Sequence, residues 1–302
     1  MGITRRQMLA GMAVARVAAA QAPRQPTKPR TRPQICLLSR QLAKLEYQDL
    51  GPILQQLGFD GCNLTVEPNG HVRPDLASVD LSRAIETMRG STVDVPVITT
   101  AFTTLADPTI RNVMAIAGLM GVHYFRPGYW QYSESADVTT RLVSVERDMA
   151  GLSALGRATG LAMGVHNRAG DVGEAIWDTY TVIDGLDPQW TGYDFDPGAA
   201  TAASGSSGWY VAMRLALPRI KMVTLSDFTW SKDGGGAWQA APCPLGEGMV
   251  DWTKFFSTLA RAKFTGPITL QMDYKPQDPL KAISRELEWT RKQVGTAYQN
   301  VS

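Results

Sequence analysis

Charged and polar side chains in this chain follow directly on short apolar runs that are typical of buried strands. One such run ends in His166, Asn167 and Arg168, another ends in Asp196, and the last ends in Asp273. Converging carboxylates beside a histidine suit general acid–base catalysis or the binding of a hard divalent cation. The sequence therefore predicts that Asp196, Asp273 and His166 carry out chemistry at one site.

Further candidates lie beside these strand ends or in the loops after them. Glu247 stands between two glycines ahead of a helix and is a fourth candidate catalytic residue. It would equally serve as a charge near the helix start at Asp251. Arg126 would equally pair with a carboxylate at the rim.

Side chains that can orient hydroxyl groups or stack on the apolar face of a sugar are predicted to bind substrate. They are His71, Arg126, Trp130, Asn167, Arg168, Asp227 and Trp230.

Strand-like and helical patterns alternate eight times after residue 34. The predicted strands are Gln34–Ser39, Gly61–Val66, Val95–Ala101, Val122–Arg126, Leu161–Asn167, Gly192–Asp196, Ile220–Asp227 and Ile268–Asp273. The predicted helices are Glu46–Leu57, Leu81–Arg89, Thr109–Met120, Val138–Thr159, Val172–Gly185, Trp209–Leu217, Asp251–Ala262 and Leu280–Val294. Eight successive strand–helix units favour a closed α/β barrel, in which functional groups gather at the carboxyl ends of the strands. A doubly wound open sheet is the alternative.

Composition narrows the functional class. A chain of 302 residues with 44% hydrophobic residues suits one barrel domain, predicted over residues 34–302. The net charge of +2 comes without a basic stripe, so no nucleic-acid partner is expected. No G-x-G-x-x-G fingerprint follows an early strand, so no nucleotide cofactor is expected. The three cysteines are far apart and form no CxxC pair, which argues against structural zinc and a disulfide framework.

The first residues are typical of a removable export signal. Thr4–Leu9 resembles a twin-arginine motif, and a short apolar stretch with small residues follows it. Residues 1–22 are predicted to be the signal and residues 23–33 a linker rich in proline and basic residues. The apolar stretch is too short for a membrane span, so periplasmic or secreted localisation without stable membrane insertion is expected. A disordered basic tail is the alternative.

Five motifs carry a resemblance to a known family. Leu57–Val66 resembles a second-strand pattern, Val165–Gly170 a pattern of the H-N-H-S-G type, and Val223–Phe228 the pattern V-H-L-K-D-F. Asp196–Ala200 looks like D-P-G-H-A, and Leu270–Tyr274 looks like L-H-x-E-Y. Together these motifs resemble the sugar phosphate isomerase/epimerase family, the xylose-isomerase-like TIM barrels.

The resemblance implies a TIM barrel with one divalent metal ion (Mn²⁺, Mg²⁺, Co²⁺ or Zn²⁺), a small-molecule sugar substrate and, often, a homodimer. The family's reaction is proton abstraction next to a sugar carbonyl through a metal-stabilised enediolate. Asp196 and Asp273 stand at two of the family's four metal-ligand positions and are the predicted metal ligands. Thr224 stands where the family has histidine, and either Gly164 or His166 stands where it has the strand-five glutamate.

Three functions are compatible with these residues. The first is an exported isomerase or epimerase of a sugar or keto-sugar. The second is a lyase or hydrolase acting on oxidised glycosides, which export to a carbohydrate-processing compartment would suit. The third is a non-catalytic carbohydrate-binding relative with a degenerate metal site, which the missing ligands would explain.

Overall fold

A computed structural model describes residues 30–132 and 137–299 of the chain. The predicted signal at residues 1–22 and most of the predicted linker lie outside these residues. The barrel strands are β1 (Ile35–Leu38), β2 (Gly61–Val66), β3 (Asp94–Thr100), β4 (Tyr124–Arg126), β5 (Ala162–His166), β6 (Thr191–Phe195), β7 (Ile220–Leu225) and β10 (Ile268–Leu270). They pair in parallel in the order β1-β10-β7-β6-β5-β4-β3-β2 and close on themselves. The predicted single-domain barrel is confirmed.

Helices follow the barrel strands and cover the outside of the sheet. They are α1 (Tyr47–Leu57), α2 (Ala77–Gly90), α3 (Ile110–Leu119), α4 (Val138–Thr159), α5 (Ile176–Ile183), α6 (Pro197–Ala216), α7 (Trp252–Arg261) and α8 (Pro279–Gln299). Strands β1, β2, β5 and β6 are buried at every position because one face meets the barrel interior and the other meets the helices. None of the helices in the described ranges is long and apolar enough to cross a membrane.

Helix α6 is longer than the predicted Trp209–Leu217. Asp196 caps its start by accepting hydrogen bonds from the backbone N–H groups of Gly198 and Ala199, and proline occupies the first turn. The first half of the helix is rich in alanine, glycine and serine, so it has no amphipathic pattern that a sequence reading would detect. Gly205, with φ of 71°, interrupts the helical conformation midway.

A β-hairpin after β7 is absent from the sequence-based prediction. Strand β7 ends at Leu225, and residues 227–232 form β8, which pairs antiparallel with β9 (Trp238–Cys243). The three glycines at 234–236 form the tight turn between these strands. Strand β10 likewise ends at Leu270, so Asp273 stands in the loop that follows the strand.

Candidate active site

A pocket of about 370 Å³ opens at the carboxyl ends of the barrel strands. Its polar wall is formed by Arg40, Tyr129, His166, Asn167, Arg168, Asp196, Ser226, Asp227, Gln271 and Asp273. Six of these side chains were predicted as site residues: His166, Asn167, Arg168, Asp196, Asp227 and Asp273. The barrel brings them together because parallel strands present their carboxyl ends at one face.

Asp196 is held on several sides at the floor of this pocket. The Ser226 hydroxyl lies 2.8 Å from both carboxylate oxygens, and Oδ1 also accepts the N–H of Gly198 at 2.8 Å. The Asn167 amide accepts the Asp196 N–H at 2.7 Å and donates to its carbonyl at 2.9 Å. Asn167 therefore fixes the backbone of Asp196, while Ser226 and the start of α6 fix its carboxylate.

His166 lies between Asp196 and Tyr129 and contacts both side chains. Its Nε2 lies 3.4 Å from Asp196 Oδ2, and its Nδ1 lies 3.0 Å from the Tyr129 hydroxyl. Burial and the positive charge of Arg126 lower the pKa of His166, but the phenol oxygen of Tyr129, the hydrogen bond with Asp196 and the negative charge of Asp194 outweigh them and raise its pKa to about 9. The imidazole is therefore a cation at neutral pH, held between two groups that stabilise its charge.

Tyr129 faces three positive groups. The Arg168 guanidinium lies 4.5 Å from the centre of the Tyr129 ring, and His166 contacts the phenol oxygen. Burial would raise the pKa of Tyr129, but the positive charges of His166, Arg126 and Arg168 prevail and lower it. The result is a phenol that gives up its proton more easily than an ordinary tyrosine, on the wall of the pocket.

Asp273 stands across the site in the loop after β10. Burial and the negative charge of Asp196 raise the pKa of its carboxyl group. The Gln271 amide donates to the two oxygens at 3.2 and 3.3 Å and orients them. A carboxyl group that is open to the pocket and has a raised pKa is suited to accept and return a proton.

A buried polar layer underlies the pocket. Arg126 is 1% exposed, and its Nε donates to Asp194 Oδ2 at 2.6 Å. Its two terminal nitrogens donate to Gln271 Oε1 at 3.1 Å and to the Thr224 hydroxyl. Thr224 in turn donates to the Asp194 carboxylate. Predicted to bind substrate, Arg126 instead lies beneath the lining residues and supports Gln271, which holds Asp273.

The residues of this site fit a divalent metal poorly. Asp196 accepts hydrogen bonds on both oxygens, and the Thr224 hydroxyl is bound between Arg126 and Asp194. Position 164 carries no donor, and a Cβ there would stand 2.5 Å from Met222 Cε, so methionine fills the space beside this strand. Within residues 30–132 and 137–299, no three His, Cys, Asp or Glu side chains are arranged to hold a metal ion.

Besides Arg126, four other predicted site residues do not line the pocket. His71 bonds Thr65 and the backbone of Leu42. The Trp130 ring is buried, and its N–H donates to the Thr103 carbonyl at 3.1 Å. Glu247 is 60% exposed and lies 3.4 Å from Arg285, which fits the helix-start alternative better than catalysis. Trp230 lies further out on the β8–β9 hairpin.

Asp227 lines the pocket but is already fully engaged. Its carboxylate accepts three backbone N–H groups of residues 246–250 and the indole N–H of Trp252 at 2.8 Å. It also accepts the N–H of Phe228. Asp227 therefore holds the loop before α7 against the hairpin, a positioning role that leaves little of the carboxylate for substrate.

Sequence reasoning missed Arg40, Tyr129, Ser226 and Gln271 as parts of the site. Tyr129 lies in a loop three residues beyond Arg126, where strand alternation no longer fixes the direction of a side chain. Ser226 and Gln271 occupy positions where the resembled family has lysine and histidine. Their polarity at two strand ends was the available signal.

The chain matches one family, described as xylose isomerase-like TIM barrel, over residues 52–293. No curated protein matches the sequence closely enough to count as a relative. Among solved structures, IolI with a bound zinc atom superposes with a TM-score of 0.70 at 14% identity, covering 87% of this chain and 99% of that one. D-Allulose 3-epimerase from Methylomonas sp. gives 0.67 at 13% identity, covering 87% and 99%. The 3-keto-D-glucoside 4-epimerase YcjR from E. coli gives 0.67 at 13%, covering 86% and 100%.

Proposed function

Because this chain belongs to the xylose isomerase-like TIM-barrel family, we propose that it is a sugar isomerase or epimerase that moves a proton next to a carbonyl group. One observation carries the proposal: Asp273 and Tyr129, a carboxyl group with a raised pKa and a phenol with a lowered pKa, line the same pocket. Titratable groups with perturbed pKa values in one cleft are typical of acid–base sites. The solved structures that superpose on the chain include sugar epimerases.

The proposed reaction begins with Asp273 as the base. Its carboxylate takes the proton from the carbon next to the carbonyl, and the electron pair of the broken C–H bond forms a carbon–carbon double bond. The carbonyl oxygen meanwhile receives the proton of Tyr129, which gives a neutral enediol. In epimerisation, water returns a proton to the same carbon from the opposite face, and the proton on Asp273 neutralises the hydroxide that is left. In isomerisation, Asp273 returns its proton to the neighbouring carbon. In both cases the Tyr129 phenolate takes the proton of the enediol hydroxyl that becomes the product carbonyl.

The neighbouring charges stabilise the phenolate that Tyr129 becomes. His166 contacts the phenol oxygen, and Arg168 lies over the ring. Asp196 holds the far side of the imidazolium, so its role here is to position His166. These groups are fixed before the reaction and need no reorganisation as charge develops, which is the main electrostatic contribution to catalysis in such sites.

The divalent metal predicted at Asp196 and Asp273 stays a prediction. One superposed relative carries zinc, but Thr224 and Gly164 supply no further ligand, and the cations of Arg126 and His166 would repel a metal ion. The steps above therefore use only side chains of this chain. Export through residues 1–22 is likewise proposed, and fractionation of expressing cells with and without the Arg5→Lys/Arg6→Lys pair would test it.

The test is a set of keto-sugars, comprising free ketohexoses and 3-keto-glucosides, incubated with the protein and followed by NMR. Turnover is expected for at least one substrate. Asp273→Asn and Tyr129→Phe should each lose about 10²–10⁴-fold in rate, the usual contribution of a general acid or base. Glu247→Gln, which changes an exposed carboxylate outside the pocket, is the matched control. Sugar binding without turnover would favour the carbohydrate-binding alternative, and release of an aglycone would favour the lyase or hydrolase.

A further inference from the structure

One face of the β8–β9 hairpin continues the wall of the pocket outward. Opposed residues of an antiparallel pair share a face, and the register pairs Phe228 with Pro242 and Trp230 with Ala240. Phe228, Ala240 and Pro242 all line the pocket. Trp230 therefore stands on the same face, one step farther from the barrel.

The same face ends in a second exposed tryptophan. Lys232 pairs with Trp238, which extends the set at the tip of the hairpin, and the Lys232 ammonium lies 5.4 Å from the Trp238 ring centre. The Phe228 and Trp230 rings meet edge to face at 5.6 Å. Trp230 is 46% and Trp238 66% exposed. An aromatic strip thus runs from inside the pocket to solvent.

The opposite face of the hairpin differs in chemistry. It carries Thr229, Ser231, Gln239 and Ala241, none of which is aromatic. The two exposed tryptophans both lie on the face that meets the pocket. Exposed apolar residues that cluster in this way indicate a binding surface, whereas single scattered ones do not. Tryptophan combines a large apolar area with a polar N–H, a combination suited to the mixed faces of sugar rings.

We propose that this strip holds the second ring of a glycoside whose first ring occupies the pocket. The pocket of about 370 Å³ is at the small end of the range for small-molecule sites, so the remainder of a larger substrate has to lie outside it. The aromatic face of the hairpin is continuous with the lining residues Phe228, Ala240 and Pro242. The proposal rests on the proposed function, since it names glycosides, rather than free monosaccharides, as the substrate class.

Calorimetry on the full chain tests the strip independently of turnover. The probes are glucose, cellobiose and maltose, which differ in the presence and linkage of the second ring. At least one disaccharide should bind about tenfold or more tightly than glucose. Trp230→Ala/Trp238→Ala should remove this preference, because ring stacking contributes about two- to tenfold for each tryptophan. Glucose binding should be unchanged in the double variant.

Gln239→Ala, which changes an exposed side chain on the opposite face, is the matched control and should keep the preference. Equal binding of glucose and both disaccharides, no binding of any of the three, or a preference that survives loss of both tryptophans would overturn the proposal. The alternative occupant of this face is a second copy of the chain, which light scattering would detect. A wild-type dimer that becomes a monomer in the double variant, while the disaccharide preference is unaffected, would assign the face to that second copy. Absence of keto-sugar turnover would count against the proposed reaction and leave this binding result standing.

Discussion

Replacing Arg126 should destabilise the barrel far more than replacing an exposed arginine would. Arg126 and Asp194 are 2% and 1% exposed as side chains, and two guanidinium nitrogens lie 2.6 Å from one carboxylate oxygen. In Arg126→Met the carboxylate keeps a single hydroxyl donor, from Thr224. Leaving one partner of a buried ion pair unpaired costs about 3–5 kcal/mol.

The melting temperature of Arg126→Met, followed by circular dichroism, should therefore fall by roughly 6–10 °C, at about 2 °C for each kcal/mol in a chain of this size. Arg126→Met/Asp194→Leu should recover most of the loss because neither charge remains buried. Arg73→Met, which breaks an exposed ion pair with Asp75, should leave the melting temperature unchanged. A loss under about 2 °C in Arg126→Met, or no recovery in the double variant, would refute the reasoning.

Three further predictions concern pH, metal and the loop before α7. Activity should fall at alkaline pH as Tyr129 loses its proton, at a pH below the ordinary tyrosine pKa of 10. In Arg168→Ala this fall in activity should move to higher pH, because a cation that lowers the Tyr129 pKa has been removed. An alkaline fall at the same pH in the variant would show that Tyr129 is not the acid. Dialysis against EDTA should leave turnover unchanged, and loss of activity restored by Mn²⁺ or Zn²⁺ would contradict the metal-free steps. Gly248→Ala should lower the melting temperature because the new Cβ would stand 2.1 Å from Asp227 Oδ1, whereas Gly234→Ala, whose Cβ meets nothing within 4 Å, should not.

The sequence predicted the barrel well because each unit carries its own local signals. Gly58 and Gly160 end their helices with φ of 93° and 81°, and Asp251 begins another as a side-chain cap. The β8–β9 hairpin was missed because the predicted seventh strand was extended to Asp227, which in the structure begins β8. An aspartate followed by three glycines at 233–236 was the turn signal that marked it.

The site was predictable where strands deliver the side chains and less so where loops do. His166 ends β5 and Asp196 directly follows β6, so both lie at the strand ends where the sequence predicted them. Tyr129 could not be placed, because its direction depends on the loop after β4. The burial of Arg126 and Trp130 likewise depends on tertiary partners such as Asp194, which sequence spacing does not specify.

Solvent deuterium exchange tests the central claim most directly. The wild-type protein, incubated with a 3-keto-glucoside in D₂O containing EDTA, should place deuterium at the carbon next to the carbonyl, read by proton NMR. Asp273→Asn should place none above the uncatalysed rate, and Tyr129→Phe should be slowed by about 10²-fold or more. Exchange by Asp273→Asn at the wild-type rate, or wild-type turnover without deuterium in the product, would contradict proton transfer by these residues.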